Sequence, residues 1–154
     1  MTPDEVISNS SPIIALAQIG LIDLLPALFP ALVVPPAVRR EIRSVPFPDW
    51  IVERHLTRPI DPRVAAATLD AGEREAISLA LEGPSGRILL DDLAARLVAE
   101  RLGLAVNGSL GVLLRAKERG LIPLIRPHLD ALVLTEFFIG ERLYRRLLAM
   151  AGES

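Results

Sequence analysis

The sequence predicts an α/β domain of three layers, α/β/α, in which helices cover both faces of a short central parallel sheet of about four strands. Short apolar runs occur near residues 6, 33, 89 and 105, and none shows the period-two alternation of a half-exposed strand. Helical patterns separate the runs over the first hundred residues, as expected for parallel strands. A length of 154 residues suits a single domain over 1–154, with a helical tail over about 123–151.

Composition narrows the chemistry that is open to the chain. There is no cysteine, so disulfides, thiolate zinc sites and cysteine nucleophiles are excluded. No apolar run approaches the roughly 20 residues that cross a bilayer, and Met1–Glu5 lacks the basic start of a signal peptide. We therefore expect a cytoplasmic protein that does not enter a membrane. A net charge of −2 gives no overall basic field, so nucleic acid would need a local arginine patch.

Strands and helices alternate in the first half of the chain. Short apolar strands are expected at Val6–Ser8 and Ala31–Val34. The helix after the first strand is expected to take Ser11 as its cap, because proline follows and is tolerated at a first helical position. A second short helix is expected over Leu21–Phe29 and a third over Pro36–Arg43, and Trp50–Leu56 is interpreted as a peripheral strand.

The second half continues the alternation. A helical pattern breaks just before Glu73–Leu81 and resumes there, and a glycine- and proline-rich turn follows. Ile88–Leu90 is the third strand, and Asp92 is expected to cap the helix after it. Leu104–Val106 is the fourth strand, and Ser109 is expected to cap the next helix.

Polar side chains follow three of these strands. Asn9 follows the first, Asp91 and Asp92 the third, and Ser109 the fourth. The carboxyl ends of parallel strands share one edge of a sheet, where ligands bind in open α/β folds, so these side chains are expected to converge. Asp91 leaves its strand directly and is the better candidate for a metal ligand, whereas Asp92 suits a helix cap or an outer acid.

Two helix-borne acids, Glu41 and Glu73, can join this edge. Clusters of oxygen ligands suit Mg²⁺ or Mn²⁺, which can polarise a phosphoryl oxygen and activate water. Plainer interpretations stay open for each residue. Asn9 can be a turn residue, Glu41 a solvated helix charge, and Glu73 an acid that stabilises the positive end of a helix dipole.

Other reaction types have little support. The Ser10–Ser11 pair has no nearby histidine base, which disfavours a serine hydrolase. No glycine-rich phosphate loop is present, which disfavours a nucleotide-binding α/β fold. His55 and His128 lack any metal-ligand spacing and are assigned no role.

Five stretches in a fixed order resemble the PIN domain, in a branch of predicted nucleic-acid-binding proteins related to toxin–antitoxin ribonucleases. The stretches are Val6–Leu16, Val34–Ile42, Gly72–Ile77, Ile88–Asp92 and Gly108–Leu114, which together span nearly the whole chain. The resemblance implies a ribonuclease that depends on Mg²⁺ or Mn²⁺, with acids at the carboxyl edge of a parallel sheet. The alternative is a non-catalytic PIN-like module that binds RNA or protein through a weakened metal site.

Site residues follow from the resemblance by position. Glu41, Glu73 and Asp91 match catalytic acids, and the implied metal ligands are Asn9, Glu41, Glu73, Asp91 and Asp92. Asn9 is the departure, because it stands where the family's first aspartate does; it keeps an oxygen ligand but removes a charge.

The partners implied are RNA, a small antitoxin protein and a second copy of the chain in a homodimer. Ser11 matches a hydroxyl near the first acid, and Ser109 lies at a later strand end. Arg39 and Arg40 are the first candidates for phosphate contacts, with Arg43 and the group Arg142, Arg145 and Arg146 as further basic helix faces.

Overall fold

The computed structural model describes residues 4–43 and 47–154, so residues 1–3, on which part of the signal-peptide expectation rests, lie outside it. The strands of the described part are β1 (Glu5–Ser8), β2 (Ala31–Val34), β3 (Ile51–Glu53), β4 (Arg87–Leu89) and β5 (Ala105–Asn107). Its helices are α1 (Ser10–Gln18), α2 (Leu24–Leu28), α3 (Pro36–Glu41), α4 (Pro62–Ala65), α5 (Ala71–Glu82), α6 (Leu93–Arg101), α7 (Ser109–Glu118), α8 (Arg126–Leu134) and α9 (Glu141–Met150).

The strands form one sheet in the order β3-β2-β1-β4-β5, with every neighbouring pair parallel. Helices flank the sheet, which confirms the predicted α/β class. The prediction of about four strands was one short. The added strand, β3, lies within the segment interpreted as peripheral, and it forms an edge of the sheet.

Burial explains why the strands lack alternation. All four residues of β1 are buried, and Ile7 and Ile88 have no exposed surface. A central parallel strand is covered on both faces, so apolar residues are needed at successive positions. The edge strand β3 is less covered, and its Val52 is 49% exposed.

The chain adds strands to the sheet first on one side of β1 and then on the other. The chain runs from β1 outward to β2 and β3, then returns to place β4 on the other side of β1. Such a switch point opens a crevice outside the carboxyl ends of the two strands, and this is where open α/β sheets bind ligands. Asn9 follows β1 directly, and its N–H donates to the Leu89 carbonyl at 3.1 Å. The crevice is therefore bordered by Asn9 and by the acids after β4.

Two predicted helix caps are wrong, and one is confirmed. Helix α1 begins at Ser10, so Asn9 rather than Ser11 holds the cap position, with an extended backbone. Helix α7 begins at Ser109, with Gly108 before it. Asp92 caps α6 as predicted, accepting the Ala95 N–H at 3.0 Å. Within residues 4–43 and 47–154, every helix is too short or too polar to cross a lipid bilayer.

Candidate metal and nucleic-acid site

Asn9 contributes a buried amide oxygen to the crevice. The residue is 2% exposed, and within the described residues its Oδ1 atom has no hydrogen-bond partner. A buried acceptor without a donor costs about 1–3 kcal/mol, which is why such atoms are rare. An unsatisfied oxygen at a strand end that borders a crevice is suited to contact a cation or a hydrogen-bond donor of a ligand.

Glu41 lies beside that oxygen because residue 72 is glycine. A Cβ atom on Gly72 would overlap Glu41 Oε1 and would lie 3.2 Å from Asn9 Oδ1. The missing side chain therefore lets the carboxylate and the amide oxygen border the same small space. Ser10 Oγ donates to the other carboxylate oxygen, Glu41 Oε2, at 3.2 Å, which helps to orient Glu41.

Glu73 faces the site from the start of α5, where it also stabilises the helix. Its Oε1 accepts the Asp70 N–H at 3.1 Å, and its own N–H donates to Asp70 Oδ1 at 2.8 Å. This reciprocal capping box satisfies two backbone donors at the helix N-terminus. The cap interpretation is confirmed for Glu73, and the residue is also buried within reach of the charges of Asp92 and Glu41.

The acids of the crevice affect one another's protonation. Burial raises the pKa of Glu73, as do the charges of Asp70, Asp92 and Glu41, against the lowering effect of the Asp70 N–H. Burial likewise raises the pKa of Glu41, as do Asp70 and Glu75, while the Ser10 hydroxyl and Arg40 lower it.

A group of carboxylates in which the charge of one raises the pKa of a neighbour, as Glu41 does for Glu73, marks a place where a cation is favoured. We call Asn9, Ser10, Glu41, Glu73 and Asp92 the Asn9 cluster.

Asp91 is hydrogen-bonded to the first residue of α7. Its carboxylate accepts the Ser109 N–H at 2.7 Å and the Ser109 hydroxyl at 2.6 Å. Burial raises the pKa of Asp91, while the two bonds from Ser109 and the charge of Arg96 lower it. The five predicted metal ligands thus divide. Asp91 is bonded to Ser109 and Asp92 caps α6, whereas Asn9 and Glu41 border the space at Gly72, where Glu73 begins the first turn of α5.

The Asn9 cluster fits a divalent cation that keeps much of its water. In the part of the chain that the structure describes, no three acids or histidines are arranged to surround an ion by themselves. Mg²⁺ commonly binds through one or two carboxylates and retains several waters. Asn9 Oδ1 and one oxygen of Glu41 supply such a partial set, with further carboxylates nearby.

The predicted RNA-contacting residues occupy different environments. Arg40 is 70% exposed at its side chain and lines a cavity of about 680 Å³ together with Glu41 and Gly72. Arg39 instead lies over the Phe47 ring, 3.7 Å from its centroid. Ser11 is exposed on α1, whereas Ser109 is fully buried against Asp91.

Two contributors to the site were not predicted from the sequence. They are Ser10, which orients Glu41, and Gly72, which makes room for it. Arg43, one of the predicted basic residues, lines the cavity with Arg40. Only Gly72 carried a local signal, since a glycine directly before a helical acid invites close approach of another side chain.

Comparisons with known proteins give one finding on the family. No significant match appears among curated proteins or among solved structures. A family model described as a PIN domain matches residues 5–153, nearly the full length. This match agrees with the five-stranded parallel sheet and with the oxygen-rich crevice at its switch point. The chain belongs to the PIN domain family, a group of nuclease-like modules.

Proposed function

We propose that this PIN domain is a metal-dependent endoribonuclease and that the Asn9 cluster is its active site. The observation that carries the proposal is the placement of Asn9 Oδ1 and Glu41 Oε1 around the same space at Gly72. Two oxygens with cation-binding character meet there, at the crevice where parallel sheets bind ligands. The family supports RNA as the substrate.

Roles follow from the contacts of each side chain. Asn9 and Glu41 are the proposed ligands of Mg²⁺ or Mn²⁺, and Ser10 orients Glu41. When bound, the ion would neutralise charge on the phosphoryl group that is attacked. Glu73, whose pKa is raised mainly by burial, is suited to accept a proton from the attacking water. Asp91, one of the three catalytic acids that the resemblance implies, becomes a positioning residue in this proposal because both of its carboxylate oxygens are bonded to Ser109.

A second candidate is a non-catalytic PIN-like module that binds RNA or protein through a weakened metal site. Two observations favour it. Asn9 brings no charge to the cluster, and an oxygen of Glu73 already accepts the Asp70 N–H. Both features lower the electrostatic attraction available to a cation, although neither blocks Glu41.

The biological setting is proposed on family grounds and on the surface of the molecule. We propose a cytoplasmic single-domain toxin of a toxin–antitoxin pair, acting as a homodimer and bound by a small antitoxin protein. Two large apolar side chains face solvent, Leu134 with 86% and Phe138 with 88% of its surface exposed. Exposed apolar side chains of this kind support a protein partner.

The decisive experiment measures cleavage of an unstructured RNA with Mg²⁺, with Mn²⁺ and with a chelator. We expect cleavage that needs the metal and that falls at least about 10-fold in Glu41→Gln and in Asp92→Asn. Glu118→Gln, which alters an exposed acid on α7, is the matched control and should cleave as the native chain does. Metal-dependent RNA binding without cleavage would support the non-catalytic module instead.

A further inference from the structure

We propose that Arg87 and Arg115 bind a phosphate group in the cavity between the edge strand β5 and helix α7. The ligand is a doubly charged tetrahedral anion, supplied either as free phosphate or as the terminal phosphate of a nucleotide. We call Phe29, Arg87 and Arg115 the anion site. It is independent of the proposed function, because the cavity shares no lining residue with the Asn9 cluster.

The sheet brings the two arginines to one cavity. Arg87 begins β4 and is the register partner of Ala105 at the start of β5, so both side chains lie on the same face of the sheet. Arg115 reaches this face from α7, and all three residues line a cavity of about 210 Å³. Ala105 is exposed and β5 is the last strand of the sheet, so the cavity opens to solvent at this edge.

A buried aromatic ring holds both guanidinium groups. Phe29 is 3% exposed, and the guanidinium carbons of Arg87 and Arg115 lie 5.4 Å and 5.3 Å from its centroid. Contact with an aromatic ring restrains a guanidinium but supplies no oxygen acceptor for its five N–H groups. The ring therefore positions two sets of donors without satisfying them.

The two charges also lack a counter-charge. Among the described residues, neither Arg87 nor Arg115 forms an ion pair with a carboxylate. Arg87 donates only to the Asp4 carbonyl, at 3.5 Å, and the Arg115 side chain makes its contact with the Phe29 ring. Like charges in a partly buried place repel each other and lose water, so an anion that contacts both is favoured.

Other partly buried cations of this fold are paired. Arg54 contacts Glu5 at 2.6 Å, and Lys117 contacts Glu153 at 2.9 Å. The Arg54 and Lys117 side chains are 25% and 23% exposed, so their burial is accompanied by a carboxylate. The absence of such a partner at the anion site is therefore a feature of that site and not of partly buried cations in general.

The size and charge of the cavity favour a phosphate group. Pockets for whole small molecules measure about 300–1,000 Å³, so a cavity of about 210 Å³ suits a charged group whose remainder lies outside. Phosphate offers several acceptor oxygens in a geometry that matches the fork of arginine. A doubly charged anion also balances two guanidinium groups, which a single carboxylate does not.

Isothermal titration calorimetry with inorganic phosphate tests the proposal, in buffer freed of divalent metal ions and at about pH 8, where phosphate is mainly doubly charged. Sodium chloride at matched ionic strength is the blank. Arg115→Gln should weaken phosphate binding about 10-fold or more, and Arg115→Lys, which keeps the charge but not the fork, should lie between. Arg101→Gln removes an exposed charge at the end of α6 and should bind as the native chain does.

Ala105→Glu separates loss of the ligand from loss of the fold. The new carboxylate would enter the cavity beside Arg87 and take the place of the anion. Phosphate binding should be lost while the melting temperature stays at or above the native value, because the two cations gain a partner. Ala149→Glu adds the same charge on exposed α9 and should leave phosphate binding unchanged.

The source of the phosphate is identified with a dinucleotide that carries a 5′-phosphate and one that lacks it. Tighter binding of the phosphorylated dinucleotide than of inorganic phosphate assigns the site to a terminal phosphate. Equal affinity assigns it to free phosphate, and the unphosphorylated dinucleotide should not compete in either case.

Three results would overturn the anion site. They are no binding of phosphate by the native chain, equal binding by the native chain and Arg115→Gln, and acetate that binds as tightly as phosphate. A chain that cleaves RNA with Mg²⁺ but binds no phosphate in metal-free buffer overturns the anion site and leaves the proposed nuclease standing. Phosphate binding without cleavage supports the anion site and contradicts only the proposed nuclease.

Discussion

Both carboxylate oxygens of Asp91 are hydrogen-bonded to Ser109, one to its N–H at 2.7 Å and the other to its hydroxyl at 2.6 Å. Ser109 is the first residue of α7, so Asp91 satisfies a backbone donor at the start of that helix from the end of β4. The adjacent acid, Asp92, caps α6 through Oδ2 and contributes charge near Glu73. Two neighbouring acids in the sequence therefore have separate structural tasks.

Asp91→Asn should destabilise the fold. The neutral amide removes the charge that strengthens both hydrogen bonds from Ser109, and the Ser109 hydroxyl has to turn to accept from the new N–H, which together cost about 1–2 kcal/mol in the free energy of unfolding. Urea titration of the native chain and the variant measures the difference.

Asp92→Asn is the matched comparison, because asparagine caps helices about as well as aspartate. Its free energy of unfolding should stay within about 0.5 kcal/mol of native, while its affinity for Mn²⁺ should fall. The structural role assigned to Asp91 is wrong if Asp91→Asn unfolds at the same urea concentration as the native chain and loses Mn²⁺ binding.

Gly72→Ala should weaken metal binding by displacing Glu41. The new methyl group would overlap Glu41 Oε1 and press on Asn9 Oδ1 at 3.2 Å, so the carboxylate must move from the crevice. We expect the dissociation constant for Mn²⁺ to rise about 10-fold or more. Titration with Mn²⁺ followed by electron paramagnetic resonance gives the dissociation constant directly.

Gly140→Ala is the control for the added methyl group. Its Cβ would have only atoms of the Phe138 ring nearby, at 3.9 Å, an ordinary contact distance. Native metal binding is expected for Gly140→Ala. Equal binding in the two variants would show that the space at Gly72 does not matter to the site.

The sheet was predictable because burial on both faces leaves a strong pattern. Runs such as Ala31–Val34 are apolar at every position, and only a covered parallel strand requires this. The edge strand β3 was harder to assign, since the Val52 side chain is exposed and a short strand at an edge has little pattern to detect.

The orientation of the site side chains was less predictable, because it depends on contacts between residues that are far apart in the sequence. Glu41 is oriented by Ser10, 31 positions away, and Asp91 by Ser109, 18 positions away. The sequence brought both acids to the correct edge of the sheet but could not give the rotamer of either. Arg39 shows the same limit, since its contact with Phe47 removes it from the crevice.

Asn9→Asp should strengthen metal binding and weaken the metal-free fold. A carboxylate beside Glu41 adds charge for the cation, but without the cation it is a buried charge with no donor. We expect a lower dissociation constant for Mn²⁺ and a lower metal-free melting temperature, with the loss recovered when Mn²⁺ is added. Calorimetry with and without Mn²⁺ measures both effects.

Asn107→Asp tests whether added charge alone explains such a result. Asn107 ends β5 and its Oδ1 accepts the Gly108 N–H at 3.0 Å, so the substitution keeps an acceptor and adds one charge at the same edge. Mn²⁺ affinity should stay near native in this variant. An equal gain in both variants would mean that the cation responds to net charge and not to the Asn9 position.

Glu153→Gln should destabilise the packing of α7 and α8 against the C-terminal segment. Glu153 accepts from the Ile125 N–H at 2.8 Å, from Lys117 Nζ at 2.9 Å and from the Arg126 N–H at 3.1 Å. Loss of the charge weakens these bonds and should cost about 1–3 kcal/mol at neutral pH. Glu118→Gln, an exposed acid on α7, should change the free energy of unfolding by less than about 0.5 kcal/mol.

The difference in the free energy of unfolding between the native and the Glu153→Gln chains should depend on pH, and the shift in the pKa of Glu153 fixes its sign. Burial raises the pKa of Glu153, but the donors at Ile125, Lys117 and Arg126 outweigh it and hold the pKa below its ordinary value of 4.5. A carboxylate with a depressed pKa stabilises the fold above its ordinary pKa, and this contribution is lost as the pH falls through the depressed value. Native and Glu153→Gln chains should therefore differ most at neutral pH and converge below pH 4.5. Urea titrations from neutral pH into the acid range measure this difference. A difference in the free energy of unfolding that grows as the pH falls would contradict the assigned role of the carboxylate.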